Sequence, residues 1–125
     1  MPVYNRKNEW YNIDGGKDTE DFVFLLSLEE ADKYFGNSGD YTNKNQKRYD
    51  NDKFVANSYG SYLSNEYDRD RASKDEKGKA CWWWLRSPGG ISYCAAYVNS
   101  YGYVRDSGNY VDFYYGVRPA LWLNL

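Results

Sequence analysis

The chain has 125 residues, enough for one domain with a real core, and a net charge of -2. That balance leaves no basic footprint for a nucleic-acid partner, and no apolar run approaches the ~20 residues of a membrane-spanning helix. Aromatic residues make up 20% of the chain, with 15 Tyr and 5 Trp, and there is no His, which removes the commonest general base and metal ligand.

Residues 1–20 are polar, with Trp10 and Tyr11 as the anchors, and the N-terminus lacks the apolar centre of a signal peptide. A cytoplasmic protein, or one carried on a phage or other particle, is the expectation. The run FVFLL, Phe22–Leu26, reads as a strand buried on both faces. Ser27 follows as a helix cap, with Glu30 placed to close a capping box. Leu28, Ala31 and Phe35 share one face of a helix of about two turns, which Gly36 ends. Residues 37–79 read as an irregular insertion, rich in charges and turn formers, with Phe54–Leu63 apolar enough to dock. Its charge runs read as solvated faces.

At Cys81 the composition changes. CWWWLRSPGG reads as a central strand with Trp82 and Trp84 on one face and Trp83 and Leu85 on the other, broken at Ser87-Pro88-Gly89-Gly90. A meander of short antiparallel strands is expected next, at 93–99, 103–106, 110–113 and 116–123, with turns at SYG and DSGN. Val98, Val104, Val111 and Val117 supply its inward positions. Cys81 and Cys94 would bridge only from neighbouring strands, and two half-buried thiols are the favoured reading. The whole reads as one α+β domain over 1–125, mostly short antiparallel strands with one or two short helices and long irregular loops.

Arg86 and Arg118, at the two strand motifs, read as structural cations paired to a carboxylate or to backbone carbonyls. From Ile91 to Tyr115 the chain holds seven Tyr, three Ser, two Asn and two Asp, the composition of a paratope. The plainer reading is a half-buried sheet whose tyrosines pack across strands. A binding surface is favoured, with Tyr93, Asn99, Tyr101, Tyr103, Arg105, Asp106, Asn109, Tyr110, Asp112 and Tyr114 as ligand-binding residues. Rings would give contact area and the polar groups directional bonds. No phosphate loop and no Ser/His/Asp set can be built, so no catalytic residue is expected. Asp106, Asn109 and Asp112 lack the spacing of a calcium loop.

Three pieces, FVFLLSLEEADKYF, WWWLRSPGG and GVRPALWLNL, resemble a family of bacterial domains of uncharacterised function, recurrent in gut Firmicutes and their mobile elements. The likeness covers about residues 20–36 and 80–125. The same layout is similar to the C-type lectin fold in its formylglycine-generating-enzyme-like branch, with Leu85-Arg86-Ser87 as the earlier strand and Gly116-Val117-Arg118 as the closing one. That resemblance implies a C-type-lectin-like fold. The branch includes the variable proteins of diversity-generating retroelements, which rewrite adenines in AAY codons. Tyr, Asn, Ser and Asp all arise that way, as do Ile91, Cys94, Arg105 and Phe113. The resemblance thus implies a hypervariable surface that binds a protein or glycan. The alternative is a structural or assembly module of a phage or surface particle. The copper-bound cysteine pair of the branch's enzymes does not carry over, since Cys81 and Cys94 stand 13 positions apart and Cys94 falls in the variable stretch. The calcium motifs Glu-Pro-Asn and Trp-Asn-Asp are missing too, so no cofactor or metal is expected.

Overall fold

The computed structural model describes residues 2–21, 23–41 and 62–121, and the backbone of 48–50 and 53–55. In chain order the elements are β1 (Pro2–Val3), β2 (Thr19–Glu20), β3 (Val23–Leu25), α1 (Leu28–Tyr34), β4 (Arg48–Asp50), β5 (Lys53–Val55), α2 (Asp68–Arg71), β6 (Ser73–Lys74), β7 (Ala80–Cys81), β8 (Trp83–Pro88), β9 (Cys94–Val98), β10 (Val104–Tyr110) and β11 (Pro119–Leu121). The described strands pair antiparallel, in a three-stranded sheet of order β10-β9-β8 and four two-stranded ones, β1-β2, β3-β11, β4-β5 and β6-β7. The α+β expectation of short antiparallel strands with two short helices therefore holds.

Local chemistry sets α1 as expected. Ser27 Oγ accepts from the Glu30 N–H at 3.1 Å, and the Glu30 carboxylate accepts from the Ser27 N–H at 3.0 Å. Gly36, at φ 102°, ends the helix in a backbone region that favours glycine. Leu28 and Ala31 enter the core, with Phe35 packed against it. The Leu28 N–H, an orphan of the first turn, finds Ser87 Oγ at 2.9 Å, which fastens α1 to β8.

The core joins Val3, Phe24, Leu26, Leu28 and Ala31 to Tyr41, Leu63, Trp83, Leu85, Ala96, Val98 and Val104. Trp83 and Leu85 thus face inward from β8 on alternate positions, as pleating requires. Arg86 is a structural cation: it donates to the carbonyls of Leu25 and Tyr4 at 2.8 Å each, to Asn5 Oδ1 at 3.1 Å, and to the Glu30 carboxylate. One guanidinium so ties the N-terminal segment, β3 and α1 to β8. Arg118 donates to the Arg71 carbonyl at 3.0 Å and lies over the rings of Phe35 and Trp83 at 4.7 and 5.0 Å. Burial pushes its pKa down.

Several expectations are corrected. The first strand, Val23–Leu25, is covered on one face only: Phe24 is buried, but Val23 is exposed, because β3 belongs to a two-stranded sheet with one open face. Its Phe22 end lies outside the described residues. The strand β8 is an outer strand of its sheet rather than a central one. Its free edge is closed by single backbone contacts: Trp84 N–H to Gly116 O, Gly116 N–H to Trp82 O, and Arg86 N–H to Leu26 O. The 37–79 stretch is not irregular throughout, since it holds the β4-β5 hairpin, α2 and β6. Of Phe54–Leu63, residues 56–61 lie outside the described set, and Tyr62 and Leu63 dock, Leu63 exchanging both backbone hydrogen bonds with Val104.

The meander is also rearranged. DSGN is no turn; it lies inside β10. Arg105 faces Tyr97 and Asn109 faces Ala95, so β10 takes four steps where β9 takes two. Gly108, at φ 74°, absorbs the surplus as a bulge, and a Cβ there would lie 2.0 Å from the Ala95 carbonyl oxygen. Periodicity alone cannot tell such a bulge from a turn, since both call for Gly beside Asn or Ser. Val98 and Val104 are inward, but Val111 and Val117, placed inward by the sequence reading, are exposed, because both fall between the end of β10 and the start of β11 rather than in a paired strand.

The N-terminal segment is held by Asn8 rather than by its rings alone. Asn8 is fully buried and donates to the carbonyls of Pro88 and Asp106 at 2.9 Å each. Its Oδ1 accepts the Trp10 N–H at 3.0 Å. Trp10 in turn donates its indole N–H to the Tyr41 carbonyl at 2.6 Å.

Candidate functional site

Pleating gives the β8-β9-β10 sheet a second face, opposite the core, and that face is aromatic. Trp82 stacks on Tyr97 at 5.3 Å and meets Tyr115 edge-on at 5.0 Å. Trp84 lies 4.5 Å from Tyr115 and 6.2 Å from Tyr97. These four rings cover one another, so the Trp triplet is packed rather than displayed: Trp83 in the core, Trp84 half-buried, and only Trp82 partly open. Each such pair contributes about 0.5–1.5 kcal/mol beyond its area. Tyr97 is buried, and its phenol is pushed up to about 12, first by desolvation and also by Tyr115, against the lowering effect of Arg105. Tyr41 is shifted upward too, by burial and by the carboxylates of Glu29 and Asp106.

A pH dependence follows. Below pH 10 both phenols are neutral, folded or unfolded. Above it the unfolded chain gives up protons that the folded chain keeps, so stability falls as pH rises toward 12. The Tyr97 shift from 10.0 to about 12 corresponds to about 2–3 kcal/mol lost over that window. Urea midpoints measured from pH 9 to 12 should fall only above pH 10. Tyr97→Phe should flatten part of that fall, and an equal fall in the variant would contradict it.

From this packed cluster a row of rings runs outward to solvent. Phe113 lies 6.3 Å from Tyr115, Tyr110 lies 6.3 Å from Phe113, and Tyr93 stacks on Tyr110 at 5.6 Å with planes within 6°. Tyr93 is 59% exposed, Tyr110 48% and Phe113 49%. The row is set by the β9-β10 ladder, where Tyr110 pairs with Cys94 and the Val111 N–H reaches the Tyr93 carbonyl at 3.3 Å. Tyr93, Tyr110, Val111 and Asp112 line an open notch of about 180 Å³. Tyr114, fully exposed, stands over a second groove of about 430 Å³ that includes Lys79, Cys81 and Trp82. Tyr101, 70% exposed, leans on Tyr103 at 5.6 Å; Tyr103 stacks on the buried Tyr62 at 4.7 Å, and the Arg105 guanidinium lies over Tyr62 at 5.5 Å.

The ten residues expected to bind ligand therefore divide. Tyr93, Tyr101, Tyr110, Asp112 and Tyr114 are exposed. Tyr103 and Arg105 are half-buried supports around Tyr62. Asn99 serves its own turn, its Oδ1 accepting the N–H groups of Tyr101 and Tyr103 at 3.0 Å each. Asn109 donates to the Tyr115 hydroxyl at 2.9 Å. Asp106 is a correction: it is fully buried, because it lies two positions after the inward Val104 on the same strand and pleating puts the two on one side. Asp106 and the exposed Asp112 are thus separated by burial rather than gathered as ligands. Phe113 was missed as a surface ring, though its place among Tyr and Asp was the available signal. Tyr62 was missed because its role depends on a contact some forty residues away in sequence.

Cys81 is half-buried and Cys94 buried, and both are free thiols. Burial raises the pKa of Cys94. No helix among the described residues is long and apolar enough to cross a membrane. No curated protein and no solved structure matches the chain. Across residues 1–125 the chain matches the family described as "Domain of unknown function (DUF6273)", and it belongs to that family.

Proposed function

We propose that this chain is a C-type-lectin-like binding domain that presents its exposed rings and Asp112 to a protein or glycan. The observation that carries this reading is the split among the rings of 91–115. Tyr97, Tyr103 and Tyr115 are packed into the fold, while Tyr93, Tyr101, Tyr110, Phe113 and Tyr114 are left open. A merely structural sheet has no use for the second group, and exposed aromatic area of this kind marks interaction sites. The adjacency of the two strand motifs, with Trp84 and Gly116 hydrogen-bonded at 3.1 Å, is in keeping with a lectin-like closing strand.

Retroelement rewriting belongs to the same proposal, with a structural limit. Rewriting Tyr93, Tyr101, Tyr110, Asp112, Phe113 or Tyr114 changes surface only. Rewriting Tyr97, Asp106 or Ser107 changes buried groups. A near-copy of the gene's 3′ segment beside a reverse transcriptase, differing only at adenines, would establish the rewriting, and its lack in the source genome would remove it.

The binding reading is tested by one combined variant, with Tyr93, Tyr101, Tyr110 and Tyr114 all changed to Ser. Exposed substitutions cost about 0.5 kcal/mol each, so even with the Tyr93–Tyr110, Tyr110–Phe113 and Tyr101–Tyr103 contacts given up, melting should fall by about 8 °C or somewhat more with a cooperative transition kept. Binding to protein and glycan arrays should be lost. Collapse of the melting transition would show that the rings are core and sink the reading.

A second reading, an assembly module, is favoured by a different patch. Val23 and Leu121 are directly opposed across β3-β11 and both exposed, with Pro119 exposed on the same strand. Concentration-dependent sedimentation that Leu121→Lys abolishes would support it.

A further inference from the structure

We infer that the notch formed by Tyr93, Tyr110, Val111 and Asp112 seats an arginine side chain of a protein partner. The inference rests on the binding reading above and names the chemistry of one contact within it.

Charge is the first argument. Residues 88–117 contain three charged side chains, Arg105, Asp106 and Asp112. Arg105 is half-buried over Tyr62, and Asp106 is buried. Asp112 is therefore the one exposed charge of that stretch, and no cation lines the notch with it. Among the described residues no ion pair engages its carboxylate. A partner that brings a cation complements this notch, and one that brings an anion is repelled.

Ring geometry is the second argument. Tyr110 has two near-parallel ring neighbours, Tyr93 at 6° and Phe113 at 17°. At centroid spacings of 5.6 and 6.3 Å the rings are offset and present separate, partial faces, and the end ring, Tyr93, has no second stacked neighbour among the described contacts. A glycan that binds by laying its rings on aromatic faces needs a wider open platform than this. A guanidinium needs one ring and one carboxylate, and Tyr93, Tyr110 and Asp112, which carry them, line the notch together. A volume of about 180 Å³ suits one extended side chain rather than an oligosaccharide. The fold already uses this chemistry internally, with Arg118 over Phe35 and Trp83, and Arg86 over Phe24 while bonded to Glu30.

The test uses the full chain and three probes: acetyl-Gly-Arg-Gly-amide, the same peptide with citrulline for arginine, and maltoheptaose. Ring resonances of Tyr93 and Tyr110 are followed by NMR titration. The arginine peptide should shift them saturably, and citrulline, near-isosteric but uncharged, should bind about tenfold more weakly. Asp112→Asn, an exposed change, should weaken the arginine peptide about five- to tenfold and remove most of the salt dependence, with an unchanged melting curve. Equal affinity for arginine and citrulline, indifference to Asp112→Asn, or ring shifts with maltoheptaose alone would each overturn the inference. Tyr101→Ser and Tyr114→Ser lie outside the notch and keep the two readings apart. If they abolish array binding while the arginine peptide fails, the binding face stands and the notch assignment falls. If they leave array binding intact while the arginine peptide still binds, the notch stands alone.

Discussion

Replacing Trp83 with alanine is expected to lower folding stability by about 3–5 kcal/mol, the usual cost of removing a buried Trp. At about 4 °C per kcal/mol for a chain of this size, the melting temperature should fall by roughly 12–20 °C. The reason lies in how many parts of the fold meet at this one ring. Trp83 is 1% exposed, meets Phe35 edge-on at 6.3 Å, carries the Arg118 guanidinium at 5.0 Å, and donates its indole N–H to the Arg71 carbonyl at 2.9 Å. Arg71 itself is buried, donating to the Gly102 carbonyl at 2.9 Å and to Asp68 at 2.6 Å. Removing the ring leaves a cavity and strips a donor from that hub. Its neighbour supplies the control. Trp82 is partly open, so Trp82→Ala should cost clearly less, about 1–2 kcal/mol. Thermal melts of both variants by circular dichroism decide the matter, and equal losses would mean that the two faces of β8 are not distinguished as described.

Gly108→Ala should cost about 3–4 kcal/mol, although it adds a single methyl group. Part of the cost is conformational: at φ 74° a Cβ is disfavoured by about 1–2 kcal/mol. The larger part is steric, because the new Cβ would lie 2.0 Å from the Ala95 carbonyl oxygen, which belongs to the neighbouring strand and cannot swing away like a side chain. Gly78→Ala separates the two. Gly78 has nearly the same φ, 79°, with no atom near its Cβ position, so it should lose only the conformational part. The Gly108 variant should also disturb the site. The bulge sets where Asn109 and Tyr110 fall, so the close contact between the Tyr93 and Tyr110 rings should weaken, seen as loss of their mutual NMR cross-peaks. A Gly108→Ala protein that melts like Gly78→Ala and keeps those cross-peaks would show that the bulge is not packed as tightly as its geometry requires.

Much of the local structure was legible because it is encoded within a few residues. The Ser27–Glu30 box, the face shared by Leu28, Ala31 and Phe35, and the stop at Gly36 are all i to i+3 or i+4 relations, and α1 follows them. The alternation in β8 was legible for the same reason, since pleating assigns Trp83 and Leu85 to one side whatever the rest of the chain does. What failed was whatever depended on a partner strand. The DSGN stretch carries every local mark of a turn, yet it continues β10, because the Ala95–Tyr97 ladder across from it tolerates two surplus residues at a glycine. That one difference keeps Asp106 on the side of Val104 and leaves Val111 just past the end of the strand, exposed.

The sequence by itself determined the material of the surface: rings, hydroxyls, amides and few charges between Ile91 and Tyr115, framed by two apolar motifs. Composition can do this because it states which groups are present, and their chemistry does not depend on where they lie. Only the tertiary structure decided which rings are shown. Tyr97, Tyr103 and Tyr115 are chemically the same as Tyr93, Tyr101 and Tyr114, and they differ only in having Trp82, Trp84 or Tyr62 against them. Those contacts join residues far apart in the chain, through a bulge and a docked insertion. Exposure is a property of such neighbours, which no short stretch of sequence contains.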